Sequence, residues 1–137
     1  MRVVIIGAGA AGMSAVETLS AHDAGVQLTI ISKDKGLPYS PVALPEYIEG
    51  RISKEQMLLW DDAFCAKRNL DFMSGKAVVN VYPNERRIAL DDGSVLSYDK
   101  LLIASGASPV LPRQLRGKKG VFVLRTMEDA EAIRRQV

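Results

Sequence analysis

Six residues near the amino terminus have the types and spacing of a turn that binds phosphate groups. Residues 7–12 read GAGAAG, with glycines at Gly7, Gly9 and Gly12. In such a G-x-G-x-x-G pattern the first glycine permits a tight turn, the second lets a pyrophosphate approach the backbone, and the third lets a helix pack closely on a strand. Ala10 and Ala11 would begin that helix, where unpaired N–H groups and a partial positive charge attract anions. The spacing predicts a dinucleotide site.

The elements on either side of this turn support the prediction. Residues 3–6 are an apolar, β-branched run, as expected of a parallel strand buried on both faces. A helical stretch follows and ends at Ala24 and Gly25, and residues 26–31 read as a second strand. The alternative is a glycine-rich turn that binds no ligand. A β-α-β unit of about thirty residues favours the binding site.

The residues expected to contact the ribose, at the other end of this site, are of three different chemical types. An acidic residue about 20 positions after the glycines usually binds the ribose hydroxyls. The chain has Ser32, Lys33 and Asp34 there. Asp34 can serve with a small shift of the loop, Ser32 can make a single hydrogen bond, and Lys33 would suit a 2′-phosphate if the ligand were NADP. All three are candidate cofactor-binding residues.

Composition bounds the class of protein. The chain has 137 residues, of which 47% are hydrophobic and 25% charged, and its net charge is +2. These values are typical of a globular domain and exclude disorder as the main state. The charge is too small to indicate nucleic-acid binding, and no apolar run reaches the roughly 20 residues of a membrane span. Cys65 is the only cysteine, so we expect no intrachain disulfide and a cytoplasmic location.

The remaining pattern predicts further elements and one stiff loop. Residues 36–50 contain three prolines and read as a loop, either functional or a surface connection. Ser53 and Gln56 form a capping-box pattern that begins a helix extending to about Arg68. Thr126 and Asp129 have the same pattern for a final helix through Gln136. Short strands are predicted at residues 77–81, 87–90, 95–96, 101–104 and 121–124, the first three as an antiparallel meander and the fourth as a buried strand.

Residues suited to nucleophilic or acid–base catalysis are not arranged in any recognisable pattern. Cys65 on the predicted helix reads as a small buried hydrophobe rather than a nucleophile. His22 has no ligand partner nearby in the sequence and is expected at the surface. The basic residues between 111 and 120 read as a solvated linker, since no aromatic side chains accompany them.

Four features, taken in order, resemble the pyridine nucleotide-disulfide oxidoreductase superfamily, one of them being the predicted meander between Lys76 and Leu96, which is similar to the family's small sheet. Residues 4–12 resemble its FAD-binding start, residues 98–109 its second flavin signature with Ser105 in place of threonine, and residues 120–130 the passage into its NAD(P)H domain. The resemblance implies an α/β, Rossmann-like FAD/NAD(P)-binding fold, with a parallel sheet, helices and an inserted antiparallel β-meander. It implies FAD as cofactor and NAD(P)H as co-substrate of the parent protein.

The resemblance also extends the set of cofactor-binding residues and suggests an organisation. It implies that the backbone of Val78 holds the adenine and that Ala104, Ser105 and Gly106 lie along the flavin. Residues 1–112 would be the FAD-binding domain, and 113–137 a linker and crossover into an NAD(P)H-binding domain that is absent. We therefore expect weak or no FAD binding and no turnover from this piece alone. A homodimer is one assembly that the resemblance allows for the parent protein.

The subtype depends on the loop. Residues 37–44 are similar to NADH-dependent rubredoxin, ferredoxin and nitrite reductases, and residues 44–50 to NADH oxidases and coenzyme A-disulfide reductases. The last group carries a redox cysteine where this chain has Val42 and Ala43, so a disulfide step lacks its nucleophile. Electrons would pass from nicotinamide through FAD to an unidentified acceptor: a redox protein, oxygen, or a nitrite-type or other small molecule.

Two other functions are compatible with parts of the sequence. The chain could be a non-catalytic FAD- or dinucleotide-binding module or a subunit of a larger redox complex. A short NAD-linked dehydrogenase ranks last because it needs Tyr-x-x-x-Lys, whereas Tyr47 is followed at that spacing by Arg51 and Tyr98 by Leu102.

Overall fold

The computed structural model describes residues 1–22 and 25–136, which divide into two compact units. The first comprises Met1–Pro38 and Trp60–Gly106, and the second comprises Tyr39–Leu59 and Ala107–Val137. The predicted end of the first helix at Ala24 lies outside the described residues. The boundary predicted at residue 112 stays a prediction.

A four-stranded parallel sheet organises the first unit. Its strands are β1 (Arg2–Ile6), β2 (Gln27–Ser32), β3 (Leu70–Ser74) and β7 (Lys100–Ile103), in the order β3-β2-β1-β7. Helix α1 (Ala10–His22) connects β1 to β2, which gives the predicted β-α-β unit. His22 is exposed, as expected.

Side chains that alternate along the central strands cover both faces of the sheet. Val3 and Ile5 pack in one cluster with Val16 of α1, and Val4 packs in another with Ile88 and Leu90. Because both faces of β1 are buried, its sequence is an unbroken apolar run rather than an alternating one.

The meander forms a separate antiparallel sheet at the predicted positions. It consists of β4 (Val78–Tyr82), β5 (Arg87–Leu90) and β6 (Val95–Ser97) in sequence order. Ile88 and Leu90 on β5 are buried in the cluster that also contains Ile31 of β2. The meander therefore contributes apolar side chains to the core beside the parallel sheet.

Strand β7 forms, but the expectation that it is buried is wrong. In the described part of the chain it pairs with β1 alone and lies at the edge of the sheet. Ile103 is 62% exposed and Leu102 is 38% exposed. An edge strand lacks the neighbour that would cover its outer side, which sequence periodicity does not reveal.

The helix predicted over residues 53–68 is two shorter helices. Ser53 and Gln56 form the expected capping box at the start of α3 (Lys54–Met57). Leu58 is extended, with ψ of 136°, and Asp61 then caps α4 (Asp62–Lys67) by accepting the N–H of Phe64. A second good N-cap in the middle of an apolar pattern allows the chain to restart a helix.

The second unit contains a helix where a loop is predicted. Within residues 36–50 the chain forms a 3-10 turn, Pro41–Ala43, and helix α2 (Leu44–Ile48). Pro41 and Pro45 occupy the first positions of these turns, where a missing N–H costs nothing. The prolines therefore begin helical turns instead of preventing them.

Helix α5 (Met127–Arg134) completes the core of the second unit. Thr126 and Asp129 form its capping box, and the helix ends at Arg134 rather than at the predicted Gln136. Ala130 is buried with Leu44, Tyr47 and Met57. The strand predicted at residues 121–124 is irregular instead, and no strand pairs with it within the described residues.

None of the described helices has the length and apolar character needed to cross a lipid bilayer.

Candidate functional site

Parallel pairing brings three loops together at the carboxyl ends of the strands. Ile6, the last residue of β1, pairs with Ile31 on one side and with Ile103 on the other. The turn at residues 7–12 therefore lies between the loop that follows β2 and the loop that follows β7. Ligands of open α/β sheets bind at such carboxyl ends of strands.

Gly7 makes the sharp exit from β1. Its φ is +106°, and its N–H donates to the carbonyl of Ile31 at 2.8 Å. A Cβ at this position would lie 2.3 Å from the carbonyl oxygen of Ala104. The N–H of Ala104 in turn donates to the carbonyl of Ile6 at 2.8 Å, which holds this strand end in place. Both the backbone conformation and the neighbouring strand end require glycine here.

Gly12 and Gly9 have opposite surroundings. A Cβ on Gly12 would lie 1.9 Å from the carbonyl oxygen of Gly7, so the close approach of α1 to the turn requires glycine. A Cβ on Gly9 would meet no described atom within 4 Å, and Gly9 is exposed. The space beside Gly9 is open at the amino end of α1.

The start of α1 is suited to an anion. The N–H of Met13 donates to the carbonyl of Gly9 at 3.0 Å, which begins the helical bonding. Ala10 and Ala11 are exposed in the first turn, which contains no acidic residue. The first N–H groups of a helix have no intrahelical acceptor, so they are available to phosphate oxygens. The turn therefore fits the pyrophosphate of a dinucleotide.

The loop after β2 is held in place by its own side chain and by the segment after β3. Ser32 Oγ accepts the N–H of Asp34 at 3.2 Å. The carbonyls of Asp34 and Ser32 accept the N–H groups of Gly75 and Lys76, at 3.1 and 3.0 Å. Lys33 is exposed, whereas Ser32 and Asp34 are half-buried.

The contacts of Gly75 and Lys76 with this loop are not predicted by the sequence. The strand before them, β3, was not predicted, because its five residues LDFMS are short and interrupted by an aspartate. The available signal in the sequence was a glycine, Gly75, between two apolar runs. In the structure this glycine has a φ of +68° and forms a turn.

The other predicted cofactor-binding residues are Val78 and residues 104–106, and the latter directly follow β7. Val78 begins β4 and is half-buried in the apolar cluster that contains Val4 and Ile31. Ala104 is half-buried against Gly7, and Ser105 and Gly106 are exposed. The φ of Gly106 is +69°, so the chain turns sharply as it leaves the sheet.

Cys65 lies on α4, not in any of these loops. It is partly buried, and this burial raises the pKa of its thiol, with Asp62 and Asp61 contributing in the same direction. A reactive cysteine needs the opposite shift. Across residues 1–22 and 25–136 no cluster of three histidine, cysteine or acidic residues could hold a metal ion.

The sequence of this chain is similar to those of known proteins. The sequence model of the family described as pyridine nucleotide-disulphide oxidoreductase matches residues 1–137. The chain is 35% identical over 135 residues to the NADH-dependent phenylglyoxylate dehydrogenase subunit epsilon of Aromatoleum evansii, covering 97% of this chain and 32% of that protein. It is also 35% identical over 141 residues to the NADH oxidase of Methanocaldococcus jannaschii, covering 97% and 31%.

A solved structure shows the same arrangement. The covalent putidaredoxin reductase–putidaredoxin complex superposes with a TM-score of 0.87 at 30% identity, over 98% of this chain and 34% of that chain. The chain spans about a third of the length of the curated relatives it matches. It belongs to the pyridine nucleotide-disulphide oxidoreductase family, whose members bind FAD and use NAD(P)H.

Proposed function

We propose that this chain is the FAD-binding portion of an NAD(P)H-dependent flavoprotein oxidoreductase. The observation that carries the proposal is the open space beside Gly9 at the start of α1, between the loops that follow β2 and β7. FAD would supply the redox chemistry, taking a hydride from NAD(P)H and releasing electrons to an acceptor. The chain's own residues bind and orient the cofactor.

Each loop at the sheet edge has its own part of the cofactor to hold. The turn at residues 7–12 binds the pyrophosphate, the loop after β2 binds the ribose, the start of β4 binds the adenine, and the loop after β7 lies along the flavin. The residues assigned are Gly7, Gly9, Ala10, Ala11 and Gly12; Ser32, Lys33 and Asp34; Val78; and Ala104, Ser105 and Gly106.

The electron path would need no thiol from this chain. Cys65 is on a helix, and burial raises its pKa, so it is a poor nucleophile near neutral pH. The residues of this chain would therefore hold and orient FAD without adding a thiol to the route by which FAD would supply electrons to an acceptor. A redox protein is one such acceptor, as the putidaredoxin complex illustrates for its own reductase.

We also propose that the protein is located in the cytoplasm.

The proposal assigns residues 1–112 to the FAD-binding domain and 113–137 to a linker leading to an NAD(P)H-binding domain. The relatives are about three times as long as this chain, which leaves room in them for such a further domain. Residues 1–137 alone would then bind FAD weakly and show no turnover.

The test is spectroscopic and uses the full-length protein. We expect a yellow protein whose flavin absorbance is bleached by NADH or NADPH without oxygen. A colourless preparation that neither takes up FAD nor oxidises either nucleotide would contradict the proposal.

A second candidate is a subunit that binds FAD without turnover of its own. The name of one relative, subunit epsilon of an NADH-dependent dehydrogenase, favours it. Titration of the full-length protein with FAD, ADP and NAD separates the two functions. Tight FAD binding without reduction by NADH or NADPH would support the subunit.

A further inference from the structure

The loop that follows β2 is bonded to the chain that follows β3, beyond the end of both strands. Ser32 and Ser74 are the last paired residues of β2 and β3. The next two N–H groups, of Gly75 and Lys76, then donate to the carbonyls of Asp34 and Ser32 at 3.1 and 3.0 Å. The contact therefore extends into the loop that carries the acidic side chain.

We propose that Gly75 and Lys76 are positioning residues for the ribose of the bound nucleotide, acting through the loop at residues 32–34. The inference rests on the proposed function, because it needs that loop to meet the ribose. Neither residue touches the ligand in this scheme.

The conformation of Gly75 makes the arrangement possible. Successive N–H groups of an extended strand point to opposite sides. The left-handed φ of +68° at Gly75 turns the chain, so that two consecutive N–H groups reach the same loop. A Cβ at this position would lie 3.3 Å from Cγ of Lys35, a flexible side chain next to that loop. The left-handed φ is therefore the main obstacle to a side chain on residue 75, and a residue that avoids this conformation would disturb the two backbone bonds.

Lys76 is held in turn by the hairpin between β5 and β6. Its Nζ donates to Oδ2 of Asp92 at 2.5 Å. The N–H of Ala77 donates to Oδ1 of Asp91 at 3.1 Å, and the N–H of Asp91 returns a bond to the carbonyl of Ala77 at 2.9 Å. The hairpin thus fixes residues 76–77, which fix the loop.

The Lys76–Asp92 ion pair provides a way to separate positioning from folding. Both side chains are more than a third exposed, and exposed ion pairs contribute little to the free energy of unfolding. The Lys76 ammonium lowers the pKa of Asp92, so the carboxylate is charged at neutral pH. Removing the pair should leave the protein folded and loosen residue 76.

The experiment compares two ligands that differ by one ribose hydroxyl. The affinities of ADP and 2′-deoxy-ADP for the flavin-free full-length protein are measured by competition with FAD. We expect wild type to prefer ADP by roughly tenfold or more, because a hydrogen bond to a charged group is lost with the hydroxyl. Gly75→Ala should reduce this preference to about twofold or less, and Lys76→Met should reduce it in the same direction.

Matched variants control for general effects. Gly117→Ala introduces the same backbone strain, at a φ of +72°, where the added Cβ would meet no atom of the described residues within 4 Å. Lys54→Met breaks a different ion pair, that of Lys54 with Glu131. Both should keep the wild-type preference for ADP. Gly75→Asn should retain more of it than Gly75→Ala, since asparagine tolerates left-handed backbone.

The outcomes distinguish this inference from the proposed function. If wild type binds FAD but Gly75→Ala and Lys76→Met keep its preference for ADP, the positioning role is wrong and the function stands. The same holds if wild type binds FAD without distinguishing the two ligands. If wild type takes up neither FAD nor ADP, both proposals fail.

Discussion

At the scale of single residues, the three glycines of the first turn are required for different reasons. Gly7 has a backbone conformation that other residues avoid, and Gly12 faces the carbonyl of Gly7 at a distance that excludes a Cβ. Gly9 is adjacent to open space only. Two of the glycines are therefore required by the fold, whereas the fold places no such requirement on Gly9, which our proposal assigns to the ligand.

This difference predicts that substitution of Gly9 changes FAD binding, whereas substitution of Gly12 changes the free energy of unfolding. Gly9→Val should leave the free energy of unfolding within about 0.5 kcal/mol of wild type while weakening FAD binding by more than about tenfold. Gly12→Ala should lower the free energy of unfolding by about 1–3 kcal/mol through overpacking. Urea unfolding and FAD titration of both variants check this. A Gly9→Val protein with wild-type FAD affinity would rule out the assignment of Gly9.

Cys65 provides a second prediction at this scale. Since burial raises the pKa of its thiol, alkylation by iodoacetamide should be slow at pH 7 and accelerate only as the pH rises above the ordinary cysteine range. Cys65→Ser should retain flavin reduction by NADH or NADPH. Mass spectrometry and anaerobic spectra measure the two effects, and a folded Cys65→Ser protein that has lost reduction would assign the thiol a redox role.

At the scale of elements, the caps decide where helices begin. Asp61 restarts a helix after Leu58 has become extended, and Thr126 begins α5 by accepting the N–H of Asp129. The N–H of Met127 also donates to the hydroxyl of Tyr39, at 2.8 Å. The first turn of α5 is thus bonded to its own cap and to the proline-containing segment.

We expect Thr126→Ala to lower the free energy of unfolding by about 1 kcal/mol, because the N–H of Asp129 loses its acceptor. Thr126→Ser retains the hydroxyl and serves as the control, with a smaller loss. Urea unfolding followed by circular dichroism measures both. Equal losses from the two variants would show that the methyl group, not the cap, is what matters.

At the scale of the whole chain, acidic side chains with cationic or N–H partners are found in both units. The Lys76 ammonium lowers the pKa of Asp92, the backbone N–H of Arg2 lowers that of Asp99, and the Lys54 ammonium lowers that of Glu131. A carboxyl group whose pKa is lowered by folding stabilises the native state above its ordinary pKa. This stabilisation is lost as the pH falls.

The free energy of unfolding should therefore change little between about pH 5 and 8 and decrease below about pH 5. The combined variant Asp92→Asn, Asp99→Asn and Glu131→Gln should be less stable at pH 7 and should lose less stability on acidification. Urea midpoints between pH 3 and 8 provide the measurement. An unchanged slope below pH 5 would mean that other groups govern acid unfolding.

Features that depend on neighbours along the chain could be predicted from the sequence. The turn at residues 7–12, the β-α-β unit around it and both capping boxes involve residues close in sequence, and the structure confirms them. The meander was also predicted, because turn residues separate its short strands. Local conformational preferences are sufficient for such features.

Tertiary structure alone decided the features that depend on distant partners. Strand β3 forms because it pairs with β2, and β7 is exposed because it lies at the sheet edge. Gly75 and Lys76 reach the loop at residues 32–34 for the same reason, through pairing across some forty residues of chain. Strand pairing is set by packing and hydrogen bonds across the sheet, and local sequence does not encode which partner a strand meets.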